Sequence, residues 1–383
     1  MKMFKDPIYV TRPILPDLNE LHLELDDILK SKWITNHGPK HNLLEEKLEN
    51  VLKVPNVSIF NNGSIALLTA LKALNLPAGS EVITTPFTFA ATPHCISWNG
   101  LKPVFCDIEP DTMTINAEKI EELITPNTSA ILPVHVYGFP CDVGKIEEIA
   151  QKYDLKVIYD AAHAFSTEIK GKSIGNFGDI TMFSFHATKL YNTLEGGCLT
   201  YKNNELKEKI YNLRNFGIKN EEEVVDIGIN GKMNEFQASV GLLNLKLFKK
   251  EQKERLEIKK IYIEQLNDIE NIRIPEIPQN TTDSCQYFPI LIEDSFPITR
   301  DQAYDKLKKY NVLTRKYFYP ICSDYKPYIH LKSSAINNLP LANDIKHKVL
   351  CLPYYGSLNS ETVVQICSII ESFSRIPLKI LAN

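Results

Sequence analysis

Apolar positions along this chain follow two rhythms, and the switching between them sets out its architecture. From residue 57 onward, short β-branched runs alternate with stretches whose apolar residues recur every three or four positions. The runs 57–60, 82–84, 103–108, 130–134 and 156–159 read as buried strands. Residues 65–74, 90–98, 117–123 and 143–152 read as the helices between them. Two further strands, 180–183 and 198–201, flank a polar segment that closes on a Glu195-Gly196-Gly197 turn. This alternation predicts an α/β fold, a mostly parallel mixed sheet with helices on both faces. Upstream, helices at 18–29 and 41–52 are separated by a turn-forming loop, Trp33-Ile34-Thr35-Asn36-His37-Gly38-Pro39.

Downstream, a long helical region runs from about 234 past 263. Phe236, Val240, Leu243 and Leu247 recur there at helical spacing, which puts them on one face. Its second half is dense in Lys and Glu, as a solvated face is. Residues 278–282 read as a loop, 286–292 as a strand and 360–372 as a closing helix. The expected organisation is a large unit, 1–245, followed by a smaller α+β unit, 246–383.

Composition narrows the partners. At 383 residues, 44% apolar and 23% charged, the chain can bury a large core. A net charge of −4 argues against nucleic acid or an anionic membrane as the main partner. Residues 1–8 hold no apolar leader core, and nowhere do eighteen apolar residues run together, so a cytoplasmic protein is expected. The eight cysteines are scattered, without C-x-x-C spacing, and several lie in apolar runs where a reduced thiol acts as a small hydrophobe. The nine histidines show no metal-ligand spacing, so no metal is expected.

Candidate chemistry centres on 184–197. Lys189 stands between two buried strands, where dehydration lowers an amine's pKa and frees it to attack a carbonyl; a lysine snorkelling from a strand end fits the same residues. Asn61-Asn62-Gly63-Ser64 suits a hairpin turn, or a strand–turn–helix junction whose free amides receive a phosphate. Leu67, Leu68, Leu71 and Leu74 follow at helical spacing and favour the junction. Asp160 follows a strand at the end where α/β sheets place ligands, as a helix cap or as a carboxylate aimed at a cationic ring nitrogen. His163 lies three residues on, on the same side if a helical turn begins there. Phe89, at another strand–helix junction, can lie flat against a planar ring or belong to the core. A phosphate cradle, a carboxylate, a flat aromatic and a dehydrated lysine are together what pyridoxal phosphate requires.

The order of these parts resembles the fold type I transaminase layout. From the 33–39 loop to Leu352-Pro353-Tyr354-Tyr355, the chain resembles the DegT-type nucleotide-sugar aminotransferases. The likeness is carried by Asn62-Gly63-Ser64, Asp160-Ala161-Ala162-His163, Ser184-Phe185-His186-x-x-Lys189, Glu195-Gly196-Gly197 and Gly228-Ile229-Asn230-Gly231-Lys232-Met233-Asn234-Glu235. The resemblance implies a Schiff-base lysine at Lys189 that also moves the proton, with Asp160 on the pyridine nitrogen and His163 on the ring oxygen. It further implies Gly63, Ser64 and Ser184 on the phosphate and Phe89 stacked on the ring. Asn230 would reach the phosphate of a neighbouring subunit, so a homodimer with shared sites is expected. Sugar contacts are expected from Trp33, His186, Lys232 and Tyr317, although His186 also suits a packed strand end. Lys232 stands where the family usually has Arg, and Leu194 where it often has Gly.

The implied reaction is ping-pong transamination, with L-glutamate leaving as 2-oxoglutarate and the amine passing to a nucleotide-linked keto-sugar. The runs 33–36, 135–138, 184–189 and 230–235 resemble most the members that aminate C4 of dTDP-4-keto-6-deoxyglucose for a surface glycan such as O-antigen. A hexose bound turned over would be aminated at C3 instead. Lys189 speaks against the members that use His there to remove a hydroxyl. A regulatory, non-catalytic chain would need a basic helix-turn-helix or a broken site, and neither is visible. No G-x-G-x-x-G follows the first strand, against a nicotinamide enzyme.

Overall fold

A computed structural model describes residues 2–375. The N-terminal half runs β1 (Ile8–Tyr9), α1 (Leu18–Ser31), α2 (Pro39–Leu52), β2 (Val57–Phe60), α3 (Gly63–Ala73), β3 (Glu81–Thr84), α4 (Ala91–Trp98), β4 (Lys102–Phe105), β5 (Thr128–Leu132), α5 (Val143–Tyr153) and β6 (Lys156–Asp160). A short hairpin, β7 (Glu168–Ile169) and β8 (Lys172–Ser173), precedes β9 (Ile180–Ser184), β10 (Gly197–Tyr201), α6 (Glu205–Leu213) and the 32-residue α7 (Glu235–Leu266). The rest comprises β11 (Ile272–Arg273), β12 (Phe288–Ile292), α8 (Arg300–Lys309), β13 (Val312–Leu313), α9 (Pro340–Ile345), β14 (Val349–Leu352) and α10 (Ser360–Ser374).

Seven strands form the main sheet in the order β2-β10-β9-β6-β5-β3-β4. Only β10 runs against its neighbours, so the α/β expectation of a mixed, mostly parallel sheet holds. Its strands are buried on both faces, which is why they read as continuous apolar runs rather than as alternation. The apolar face of α3, with Leu67, Ala70 and Leu71, packs against Phe60, Leu132, Ile158 and Met182. Leu44 and Leu48 of α2 cover the opposite face with Ile59 and Phe183.

The smaller sheet, β11-β12-β14, is antiparallel and packs against α8, α10 and the second half of α7. The first residues cross to it: β1 pairs with β13, and Phe4 and Ile8 pack against its core. Asn234 and Gln237 close a capping box at the start of α7. Val240 and Leu243 are buried as their spacing predicts, but Phe236 stays 37% exposed and Phe248 is buried.

Residues 117–123 differ from the expected helix, forming two 3₁₀ turns, Ala117–Lys119 and Glu121–Leu123. Asn116 caps the first, and Pro126 keeps Thr125 out of helical geometry, leaving too few residues to nucleate an α-helix. All eight cysteines are free and buried. Among the described residues, no helix is long and apolar enough to cross a membrane, and no His/Cys/Asp/Glu group could hold a metal ion.

Candidate active site

The carboxyl ends of β3, β5, β6 and β9 open onto a cavity of about 620 Å³. The β2–α3 junction is the strand–turn–helix form and not a hairpin. The Asn62 side chain caps α3 by accepting the Ile65 amide at 2.8 Å. The first helical amides, Gly63 and Ser64, have no intrahelical acceptor by construction and sit at the positive end of the helix. A Cβ on Gly63 would lie 3.1 Å from the Ser184 Cβ, so glycine keeps this cradle open beside the Ser184 hydroxyl.

Asp160 ends β6 and is 4% exposed. Its Oδ2 accepts the Thr92 hydroxyl at 2.8 Å and its Oδ1 the Ala162 amide at 3.0 Å. Burial pushes its carboxyl up, opposed by these two hydrogen bonds and by Lys189. Lys189 lies in the irregular turn between β9 and β10, and burial brings its amine down to about 8 against the pull of Asp160. Among the described residues it makes no ion pair; its Nζ lies 5.8 Å from the centre of the Tyr287 ring. His163 is buried and stays neutral, its pKa driven well down by burial and by Lys189. Its Nδ1 accepts the Tyr137 amide at 3.1 Å, which puts the ring proton on Nε2 and makes that atom a donor.

These residues fit pyridoxal phosphate. A buried carboxylate with no ion pair among the described residues suits a protonated ring nitrogen, a neutral histidine donor suits a ring oxygen, and a glycine-opened helix N-terminus suits a phosphate.

Of the residues singled out from sequence, Gly63, Ser64, Phe89, Asp160, His163, Ser184, His186, Lys189 and Tyr317 all line this one cavity. His186 is an exposed member and not a packed strand end; its Nε2 lies 3.5 Å from Glu195. Trp33, Asn230 and Lys232 do not line it. Trp33 is 51% exposed, and Lys232 donates to Asn215 at 2.6 Å. The Asn230 carbonyl accepts the Asn61 side chain. Sequence reasoning missed Thr92 and Tyr287, and reached Glu195 only as part of the Glu195-Gly196-Gly197 turn and Phe318 only as part of the loop around Tyr317. Thr92 stood inside the segment that yielded Phe89, and a hydroxyl there was the one available signal. Phe318 stacks parallel to the His163 ring, and Tyr287 meets its edge at 5.1 Å.

The model of the DegT/DnrJ/EryC1/StrS aminotransferase family matches residues 17–371. A dTDP-4-amino-4,6-dideoxy-D-glucose transaminase of Escherichia coli is 48% identical over 95% of this chain and 98% of its own. One of the same name from Shigella dysenteriae is 46% identical over the same shares. Among solved structures, DesI in the presence of its TDP-sugar product superposes with a TM-score of 0.94 at 31% identity, covering 100% of this chain and 96% of that one.

Proposed function

The chain belongs to the DegT/DnrJ/EryC1/StrS aminotransferase family, and on that premise we propose that it moves the amino group of L-glutamate to C4 of dTDP-4-keto-6-deoxyglucose. The product is dTDP-4-amino-4,6-dideoxyglucose. The observation that carries this reading is the near-half identity, along almost the full length of both chains, with relatives named for that product.

When bound, pyridoxal phosphate supplies an aldehyde for a primary amine and a ring that takes up the electron pair left when a C–H bond breaks. Lys189 would hold that aldehyde through Nζ, and the same amine carries a proton to and from C4 of the sugar. An amine with a pKa of about 8 is partly neutral near neutral pH and so serves in both directions. Asp160 keeps a positive charge on the ring nitrogen. His163 donates its Nε2–H to the ring oxygen, the Gly63 and Ser64 amides and the Ser184 hydroxyl hold the phosphate, and Phe89 covers one ring face. His186 and Tyr317 touch the sugar.

Asn230, Trp33 and Lys232 serve the cavity of a second copy, Asn230 at its phosphate and the other two at its sugar. Their position away from their own cavity supports a homodimer, as do exposed Phe216, Val224 and Ile227 near Asn230 in the sequence. The enzyme works in the cytoplasm and supplies an amino sugar for a surface glycan such as the O-antigen of lipopolysaccharide. The two units divide near residue 245, with the N-terminal arm crossing to the smaller one.

The test is incubation with pyridoxal phosphate, ¹⁵N-labelled L-glutamate and dTDP-4-keto-6-deoxyglucose, with the product read by NMR. Label on C4 is expected. Label on C3, or no labelled sugar, overturns the reading.

A further inference from the structure

Lys189 lies in a turn that neither sheet nor helix holds; its own amide donates to the His186 carbonyl at 2.8 Å. The backbone groups on either side of it are taken by a single side chain. Gln286 donates Nε2–H to the Thr188 carbonyl at 3.0 Å, and its Oε1 accepts the Leu190 amide at 2.9 Å. The side-chain amide thus does for the Lys189 turn what a neighbouring strand would do, with one donor and one acceptor in register. Gln286 is 2% exposed and comes from the smaller unit, just ahead of β12.

The same segment reaches the other side of the cavity. The Gln286 amide donates to the Ser284 hydroxyl, and Ser284 donates to the carbonyl of Tyr137. The Tyr137 amide in turn donates to His163. Tyr287, the next residue, lines the cavity between Lys189 and His163.

We propose that Gln286 is a positioning residue: it clamps the backbone on both sides of Lys189, so that the smaller unit sets the direction of the amine. The proposal rests on the role given to Lys189 above. Gln286 does not touch the reacting atoms, and being neutral it aims the amine without adding charge to it. The clamp needs a donor and an acceptor at the end of a three-carbon reach. Glutamine offers both, and a glutamate offers both only when protonated.

The test uses Gln286→Met and Gln286→Glu in the full chain, read by amide hydrogen exchange of the apoprotein in the peptide spanning 184–197. Rates are corrected for intrinsic exchange, and melting temperatures are taken alongside. In Gln286→Met, exchange in this peptide is expected to rise about tenfold, the effect of losing buried hydrogen bonds, while the α3 and α10 peptides keep wild-type rates. Gln286→Glu is expected to match it at pH 8 and to regain protection as the pH falls through the pKa of the introduced carboxyl, which burial raises.

The other groups around the clamp are Lys189, Asp160, His163, Tyr287 and Tyr317. Burial holds both phenols and His163 neutral, and a wild-type pH series supplies the baseline for Lys189 and Asp160. Unchanged exchange in folded Gln286→Met, or no recovery of Gln286→Glu on acidification, overturns the proposal. If Gln286→Met does not fold, the pH response of Gln286→Glu decides alone. The apoprotein readout is separate from cofactor chemistry: wild-type protein that forms no Lys189-dependent visible absorbance with pyridoxal phosphate overturns the aminotransferase reading instead.

Discussion

Arg214 and Lys189 each face a carboxylate, and the two pairs behave in opposite ways. Arg214, 3% exposed in its side chain, meets Glu45 at 2.6 Å and also donates to the Ile59 carbonyl at 2.9 Å. The same Glu45 oxygen accepts the Ile59 amide, so the group ties α2 and β2 to the segment after α6. Burial would raise the Glu45 carboxyl, but Arg214 beside it holds it below the usual range. Lys189 and Asp160 have no such contact. Burial dominates at both, and each drifts toward its neutral form. Arginine cannot give up its proton, whereas a lysine in a low-dielectric site can. Contact makes the first pair part of the fold; separation across a cavity leaves the second open to a ligand.

The contrast breaks first at Lys189. Lys189→Ala should lower sugar amination by about 10⁴-fold, the upper range for a positioned proton carrier, as measured by turnover with glutamate and the keto-sugar. Arg214→Met should leave Glu45 buried without its partner and cost about 3 kcal/mol of stability, seen as a lower urea midpoint. Lys189→Met should not lower stability in the same measurement, because no ion pair is lost and the cost of burying a charged amine is removed.

The pH dependence of stability separates the pairs by sign. Glu45 has a lowered folded pKa, so its contribution is present above its ordinary value of 4.5 and is lost as the pH falls through the folded value. Lys189 has a folded pKa of about 8 against 10.5 unfolded. The unfolded chain therefore binds the extra proton, and apoprotein stability should rise between those values. Denaturant titrations across pH should show that rise in wild type and lose it in Lys189→Met. The smallest effect is expected from Thr92→Val, which removes the hydroxyl donated to Asp160. Losing about 1 kcal/mol should cut turnover several-fold and move the acid limb of the rate profile upward.

Much of this was legible along the chain. The strands of the main sheet were read to within three residues at either end, because a strand covered on both faces is apolar throughout, while the equally buried β14 went unread. The cradle, Asp160 and Lys189 each stand next to such a strand, so locating the strands located them. Short elements were harder. The α6 helix (Glu205–Leu213) and the α8 helix (Arg300–Lys309) are rich in charge and went unread, and 117–123 carried helical spacing without the length to use it.

Partners far apart in sequence were not legible at all. Nothing local to Thr92 shows that it meets Asp160, 68 residues away, and nothing local to Gln286 shows that it brackets Lys189 by reaching Leu190 across 96.

The sequence by itself determined the α/β framework, the place of Lys189 between two strands and the family, because apolar period, turn residues and short motifs act within a few positions. Only the tertiary structure decided which polar groups are paired and which face a cavity. It alone separated Trp33, Asn230 and Lys232 from the cavity that Tyr317 and Phe318 help to line. A side chain's charge state and freedom depend on dielectric and neighbours in space, and those neighbours arrive only when distant segments pack.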